Sequence, residues 1–182
     1  IQITKEALHL IASQAKGSMR DAESILDQLI SFSDNEICKE DVIQGLGLID
    51  QELIFSTTDA IIRKNISEGI RVVNMVVNNG YSVDEFLVNL AEHLRNYLIC
   101  LSTGNSDLIE GSESLKKRYQ EDCSQFNEGD LLRLLRITAQ TKQELKNSRN
   151  LRIPLEVAVI KMIQMDSTVS VTDLMARIKK KA

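Results

Sequence analysis

Few side chains in this sequence have the types and spacing that chemistry needs. His9 and His93 each stand alone within a stretch of helical periodicity, so an ordinary packed or surface role accounts for both. Cys38, Cys100 and Cys123 are odd in number, far apart and without CxxC spacing. They read as reduced thiols of a cytoplasmic protein, neither a disulfide framework nor a zinc site. Gly45-Leu46-Gly47 is too short for a dinucleotide fingerprint, and no GxxxxGK[ST] phosphate loop is present. The chain is therefore not a complete nucleotide hydrolase. One position stands out. Arg20 follows Gly17-Ser18-Met19 in the first turn of an expected helix, where a cation opposes the positive end of the macrodipole at about 0.3–1 kcal/mol. Unpaired backbone N–H groups, the Ser18 hydroxyl and a guanidinium would meet there, a combination able to hold a phosphate. An ion pair from Arg20 to Asp21 or Glu23 is the alternative, and spacing alone favours it.

The elements that would position these groups are helices. Apolar spacing and capping residues divide the chain into about ten. Thr4 caps one running to Lys16, and Gly17 stops it. Ser18 restarts the chain as a second helix with a stripe of Ala22, Ile25, Leu26, Leu29 and Ile30. Ser33-Asp34-Asn35 reads as a loop, and Glu40–Gln44 as a short helix broken by Gly45 and Gly47. Asp50 caps a helix to Lys64, and Ser67 one to Asn78 that stops at Asn79-Gly80. Ser82-Val83-Asp84-Glu85 is a capping box. Behind it Val83, Phe86, Leu87, Leu90, Leu94, Tyr97, Leu98 and Leu101 repeat near 3.6 residues over five turns. A polar loop over Ser102–Gly111 leads to a helix at Leu115–Phe126. Asn127 with Asp130 opens a long helix striped by Leu131, Leu134, Leu135, Thr138 and Leu145. Pro154 suits the first turn of the next. That helix is apolar all round, with Leu155, Ala158, Val159, Met162 and Ile163 on one side and Val157 and Ile160 on another, which predicts a place in the middle of a bundle. Thr172–Lys180 reads as a terminal helix ending in three lysines.

Composition agrees with an all-α protein. Of 182 residues 43% are apolar, one is proline, eight are glycine, aromatics are 4% and tryptophan is absent. Breakers and bulky strand formers are too scarce for a sandwich or barrel, and a 26% charged content without low-complexity runs excludes disordered and fibrous classes. No apolar run approaches the roughly 18 residues of a membrane span. The net charge of −4 is uneven: residues 1–91 hold 7 Lys and Arg against 14 Asp and Glu, a balance of −7, and residues 92–182 hold 15 against 12, a balance of +3. The basic residues from Lys116 to Arg152 are interleaved with acids, as on a solvated face, and lack stacking aromatics, which argues against direct DNA binding. Two units follow, a small one at 1–48 and a larger bundle at 49–182. The first is too short to bury a good core alone and reads as the remainder of a domain continuing upstream.

Gly17-Ser18-Met19-Arg20-Asp21-Ala22, continuing through Ser24, Leu26, Asp27 and Gln28, resembles the sensor 2 motif of the gamma/tau subunits of bacterial DNA polymerase III, the AAA+ ATPase motors of the clamp loader. Asp21 and Asp27-Gln28 set it apart from the small subunits of replication factor C. Ile37, Glu40-Asp41-Val42, Leu46-Gly47 and Asp50 are similar to the family's junction from lid to collar. Residues 149–163, opening with Arg149-Asn150-Leu151-Arg152-Ile153-Pro154-Leu155-Glu156, are similar to the segment before its last collar helix. Glu23 departs from the pattern, standing where the family usually has Leu; it lies about 100° from the 22/26 stripe. The resemblance implies a truncated three-helix AAA+ lid at 1–48 and a helical collar, or oligomerisation domain, at 49–182. It implies that Arg20, flanked by Ser18 and Met19, reaches the γ-phosphate of ATP held with Mg by an ATPase domain preceding Ile1. It further implies other clamp-loader subunits as partners through the collar, in a hetero-pentamer. The sliding clamp and primed DNA would be reached through the missing domain. The chain alone is expected to bind no cofactor and hydrolyse no ATP. A freestanding helical scaffold without a nucleotide role is the competing reading.

Overall fold

The computed structural model describes residues 2–15, 17–31, 36–146 and 148–167. The expected loop at 33–35, the helix end at Lys16 and the terminal helix at 172–180 lie outside them. Among the described residues the protein is helical apart from one small pairing. The order is β1 (Gln2–Ile3), α1 (Lys5–Gln14), α2 (Met19–Ile30), β2 (Glu36–Ile37), α3 (Lys39–Leu46), α4 (Gln51–Ile62), α5 (Ile66–Asn78), α6 (Val83–Thr103), α7 (Glu113–Asp122), a 3-10 turn at Cys123–Gln125, α8 (Glu128–Leu145) and α9 (Arg152–Gln164).

Most starts are set by the expected caps. Thr4, Ser18, Ser82 and Asn127 accept the backbone N–H three residues on, and Asp50 accepts from Glu52. Two expectations are corrected. The cap of α5 is Asn65, whose Oδ1 accepts from Glu68 N at 3.2 Å, so Ser67 lies inside the first turn. And α3 runs through Gly45 instead of breaking there, because α3 crosses α2 closely: a Cβ on Gly45 would sit 2.6 Å from Leu29 Cδ2. Gly47, at φ +62°, supplies the left-handed residue that does end it.

Two hydrophobic clusters form. Ala7, Ile11, Leu29, Ile37 and Val42 bury together, with Ala22, Ile25, Leu26 and Leu48 packed against them. Ile30, expected on that stripe, is exposed at the end of α2. Here β1 pairs in parallel with β2, Gln2 opposite Glu36 and Ile3 opposite Ile37, which ties the start of the chain to the entry of α3. The second cluster begins at Ile49 and takes its buried side chains from α4, α5, α6, α7, α8 and α9, with Ile109 from the loop between α6 and α7. At about 1.5–3 kcal/mol for each large apolar side chain removed from water, Phe86, Leu87, Leu90, Leu94, Leu131, Leu134 and Leu155, all at 0–1% exposure, dominate it. The helix α9 is not surrounded, contrary to expectation. Leu155, Ala158, Val159, Met162 and Ile163 are buried, but Ile153 and Val157 are 57% and 43% exposed.

Candidate functional site

The head of α2 is built by three local events. Ala15 closes α1 by donating to the Ile11 carbonyl, Gly17 turns the chain at φ +85°, and Ser18 N donates to Ala15 O at 2.8 Å. The Ser18 hydroxyl then caps α2 by accepting from Asp21 N at 3.3 Å. The N–H groups of Met19 and Arg20 remain without an intrahelical partner, as the first turn of any helix requires. Met19 is 75% exposed, and Arg20 is exposed with its guanidinium in no ion pair among the described residues. The expected alternative, a bridge to Asp21 or Glu23, does not form. Glu23 is exposed too, so its departure from Leu disturbs no packing.

Behind this surface α2 is held firmly. Leu29 is 1% exposed, and Gln28 Nε2 donates to the Gly45 carbonyl at 3.1 Å, fixing α2 to α3. A cation on an anchored helix start, beside two unpartnered N–H groups, can meet a terminal phosphate. No group of three His, Cys, Asp or Glu among the described residues could hold a metal ion. The site offers one contact to an anion.

Cys38, Cys100 and His93 have structural roles. Cys38 donates its thiol to Asp41 Oδ2 at 2.9 Å, which raises its pKa and works against a nucleophilic thiolate. Cys100 is buried, and desolvation raises its pKa. His93, read from the sequence as ordinary, is 2% exposed and bonded at both nitrogens. Thr58 Oγ1 lies 3.1 Å from Nε2 and the Tyr119 hydroxyl 2.7 Å from Nδ1. Because the Thr58 hydroxyl already donates to the Phe55 carbonyl, Nε2 donates to Thr58 and Nδ1 accepts from Tyr119. Phe55 and Tyr97 pack edge-on against the imidazole, at 4.5 and 4.8 Å between centroids. Arg118, paired with Glu52 at 2.5 Å, covers Phe55 at 3.5 Å from the ring centre. Burial first, and the Arg118 charge second, push the His93 pKa down to about 3. This is a neutral core histidine; only its spacing opposite Phe55 and Tyr119, invisible in sequence, makes it so.

Comparison with known proteins agrees with the architecture. The family model for the DNA polymerase III clamp loader subunit ATPase lid domain matches residues 1–35, and that for DNA polymerase III subunits gamma and tau domain III matches residues 37–178. The DNA polymerase III subunit tau of Bacillus subtilis is 29% identical over 164 residues, covering 90% of this chain and 29% of that protein. The subunit gamma of Buchnera aphidicola from Acyrthosiphon pisum is 26% identical over 167 residues, covering 90% of this chain and 45% of that protein. The chain thus spans less than half the length of these relatives. Among solved structures, the Bacillus subtilis DNA clamp loader delta protein superposes with a TM-score of 0.52 at 17% identity, over 90% of this chain and 51% of that one, which shows a shared fold. No described helix is long and apolar enough to cross a membrane. With an ATPase-lid match followed by a domain III match across residues 37–178, the chain belongs to the gamma and tau subunits of DNA polymerase III.

Proposed function

We propose that this chain is the lid and collar of a clamp-loader motor, and that Arg20 is its nucleotide sensor. The lid takes residues 1–48 and the collar 49–182. The division of the hydrophobic clusters between Leu48 and Ile49 supports that boundary. In the working assembly, a cytoplasmic hetero-pentamer, the collar joins other clamp-loader subunits. An ATPase domain upstream holds ATP with Mg and engages the sliding clamp and primed DNA. Hydrolysis belongs to that domain. The nucleotide supplies a γ-phosphate whose presence or absence Arg20 reads, while Ser18 shapes the helix start and Met19 flanks it. The observation that carries the reading is the exposed Arg20 guanidinium, in no ion pair among the described residues, at the capped head of an anchored helix in a chain of this family.

A charge-assisted hydrogen bond is worth about 1.5–3 kcal/mol, so its loss corresponds to roughly tenfold to hundredfold. In the full-length parent, Arg20→Ala is expected to lower clamp-stimulated ATP turnover by that factor. Ser18→Thr, which keeps the cap, is expected to leave it nearly unchanged. Turnover unaffected by Arg20→Ala would refute the sensor role.

A further inference from the structure

Glycine supplies the left-handed residue at the ends of α1, α3, α5 and α6, where Gly17, Gly47, Gly80 and Gly104 lie at φ between +62° and +85°. The link from α4 to α5 breaks that pattern. Lys64, at φ +54°, is the one residue with a side chain and a positive φ among the described residues. It sits in a complete Schellman turn. Lys64 N donates to the Ile61 carbonyl at 3.2 Å, and Asn65 N donates to the Ala60 carbonyl at 2.9 Å. Glycine takes this conformation without strain, and a lysine gains nothing from the turn itself. Backbone strain kept at one point directs attention to what its side chain does.

The Lys64 ammonium reaches across the fold. Its Nζ donates to the Met165 carbonyl at 2.5 Å, 101 positions further along the chain. Met165 is where α9 stops: it is buried, and its backbone turns extended at φ −60° and ψ 124°. The next carbonyl, that of Asp166, accepts from Arg133 Nη1 at 2.7 Å. Arg133 in turn lies 3.6 Å from Asp130 Oδ1 in the first turn of α8. Two consecutive carbonyls are thus held by cations from two different helices, α4 and α8, both of which pack against α9. The C-terminal carbonyls of a helix carry the negative end of its macrodipole, so cationic donors suit them. Water would satisfy either carbonyl without a strained lysine. What the two cations add is a fixed point of exit.

We propose that Lys64 and Arg133 clamp the exit of the chain from the bundle, so that tension on residues 168–182 passes into α4 and α8 instead of peeling α9 from its last turn. The two contacts grip neighbouring residues, so peeling has to break both together. Lys64 is the positioning residue, and its strained backbone is the cost of placing a cation at the corner between α4 and α5. The clamp does not depend on Arg20 or on the lid-and-collar reading.

Hydrogen exchange on the 182-residue chain tests it. Lys64→Gly keeps the turn and removes the ammonium. In that variant the amides of residues 162–165, at the end of α9, are expected to exchange at least tenfold faster, while those of α6 keep their rate. Lys64→Arg, which retains a cation at the same position, is expected to stay within about threefold of the unaltered chain. Load is then applied in an optical trap, with tethers at Gln51 and Ala182. The unaltered bundle is expected to open in one step and Lys64→Gly in two, with α9 coming away first at the lower force. Unchanged exchange at 162–165 in Lys64→Gly would overturn the proposal. So would acceleration spread equally over α6, or a loss of protection in Lys64→Arg as large as in Lys64→Gly. A single opening step at the same force in both chains would overturn it as well.

Discussion

His93 should make the folding of this chain sensitive to pH well above the range where carboxylates titrate. Its folded-state pKa is about 3, against 6.5 for the exposed side chain, so between those values the unfolded chain binds a proton that the folded one refuses. Stability from the neutral imidazole is therefore complete above about pH 6.5 and is lost as pH falls toward 3. The whole shift, at 1.36 kcal/mol per unit, sets a ceiling of about 4–5 kcal/mol. At pH 5 the loss depends only on the unfolded pKa and comes to about 2 kcal/mol. The groups facing the ring reinforce the effect. Arg118 on α7 opposes an imidazolium, and neither Tyr119 nor Thr58 offers it a negative partner. Urea denaturation followed by far-ultraviolet circular dichroism at pH 7, 6 and 5 measures it. His93→Gln is less stable at pH 7 because it fills the aromatic cage poorly, but its profile over this interval is flat. Unaltered stability that changes by less than about 0.5 kcal/mol from pH 7 to 5, or a His93→Gln profile as steep as that of the unaltered chain, would refute the reasoning.

Other outcomes follow from the same geometry. Asn65→Ala removes the α5 cap and is expected to cost about 1 kcal/mol, whereas Ser67→Ala costs a few tenths at most; thermal denaturation of the pair distinguishes the caps. Gly69→Ala would ordinarily gain helix propensity, but its Cβ would lie 2.9 Å from Val159 Cγ1 and closer still to Ile163 Cδ1. A net loss of about 1–3 kcal/mol is expected, partly restored by Ile163→Val, read from denaturation midpoints. Leu29→Ala, at 1% exposure between α2 and α3, is expected to cost about 2–5 kcal/mol and to unfold the first cluster before the second in hydrogen exchange.

How much of this was legible depends on the range over which each signal acts. Caps are local, so Thr4, Ser18, Asp50, Ser82 and Asn127 could be read directly, and so could the buried face of α6. At α5 the local signal is also present: Asn65 with Glu68 three residues on is the capping pattern, and Ser67 has Ile70 there instead. The β1–β2 ladder was not legible. Two-residue strands show no periodicity, and their partners lie 34 positions apart. At Gly45 propensity speaks for breaking a helix, while the crossing of α2 and α3 requires a residue without Cβ. At the head of α2, the cation against the macrodipole was visible in sequence, but whether an acid would neutralise it was not.

That missing neutralisation connects the local strain to the wider architecture. An exposed arginine in a first helical turn gives the isolated chain no stability, and Asp21 and Glu23 are near enough in sequence to have removed the strain. They do not pair with it among the described residues, and both carboxylates remain in water. Leu29 and the Gln28–Gly45 bond meanwhile couple α2 to α3, whose end at Gly47 leads in three residues to the Asp50 cap of α4. A force applied at Arg20 therefore reaches the second cluster through a packed helix pair and one short connection. Under the proposed function, this makes an anion contact at the head of α2 able to reorient a whole lid. It also makes the Gln28–Gly45 bond, two turns along α2 from Arg20, the place where a mutation should uncouple sensing from movement.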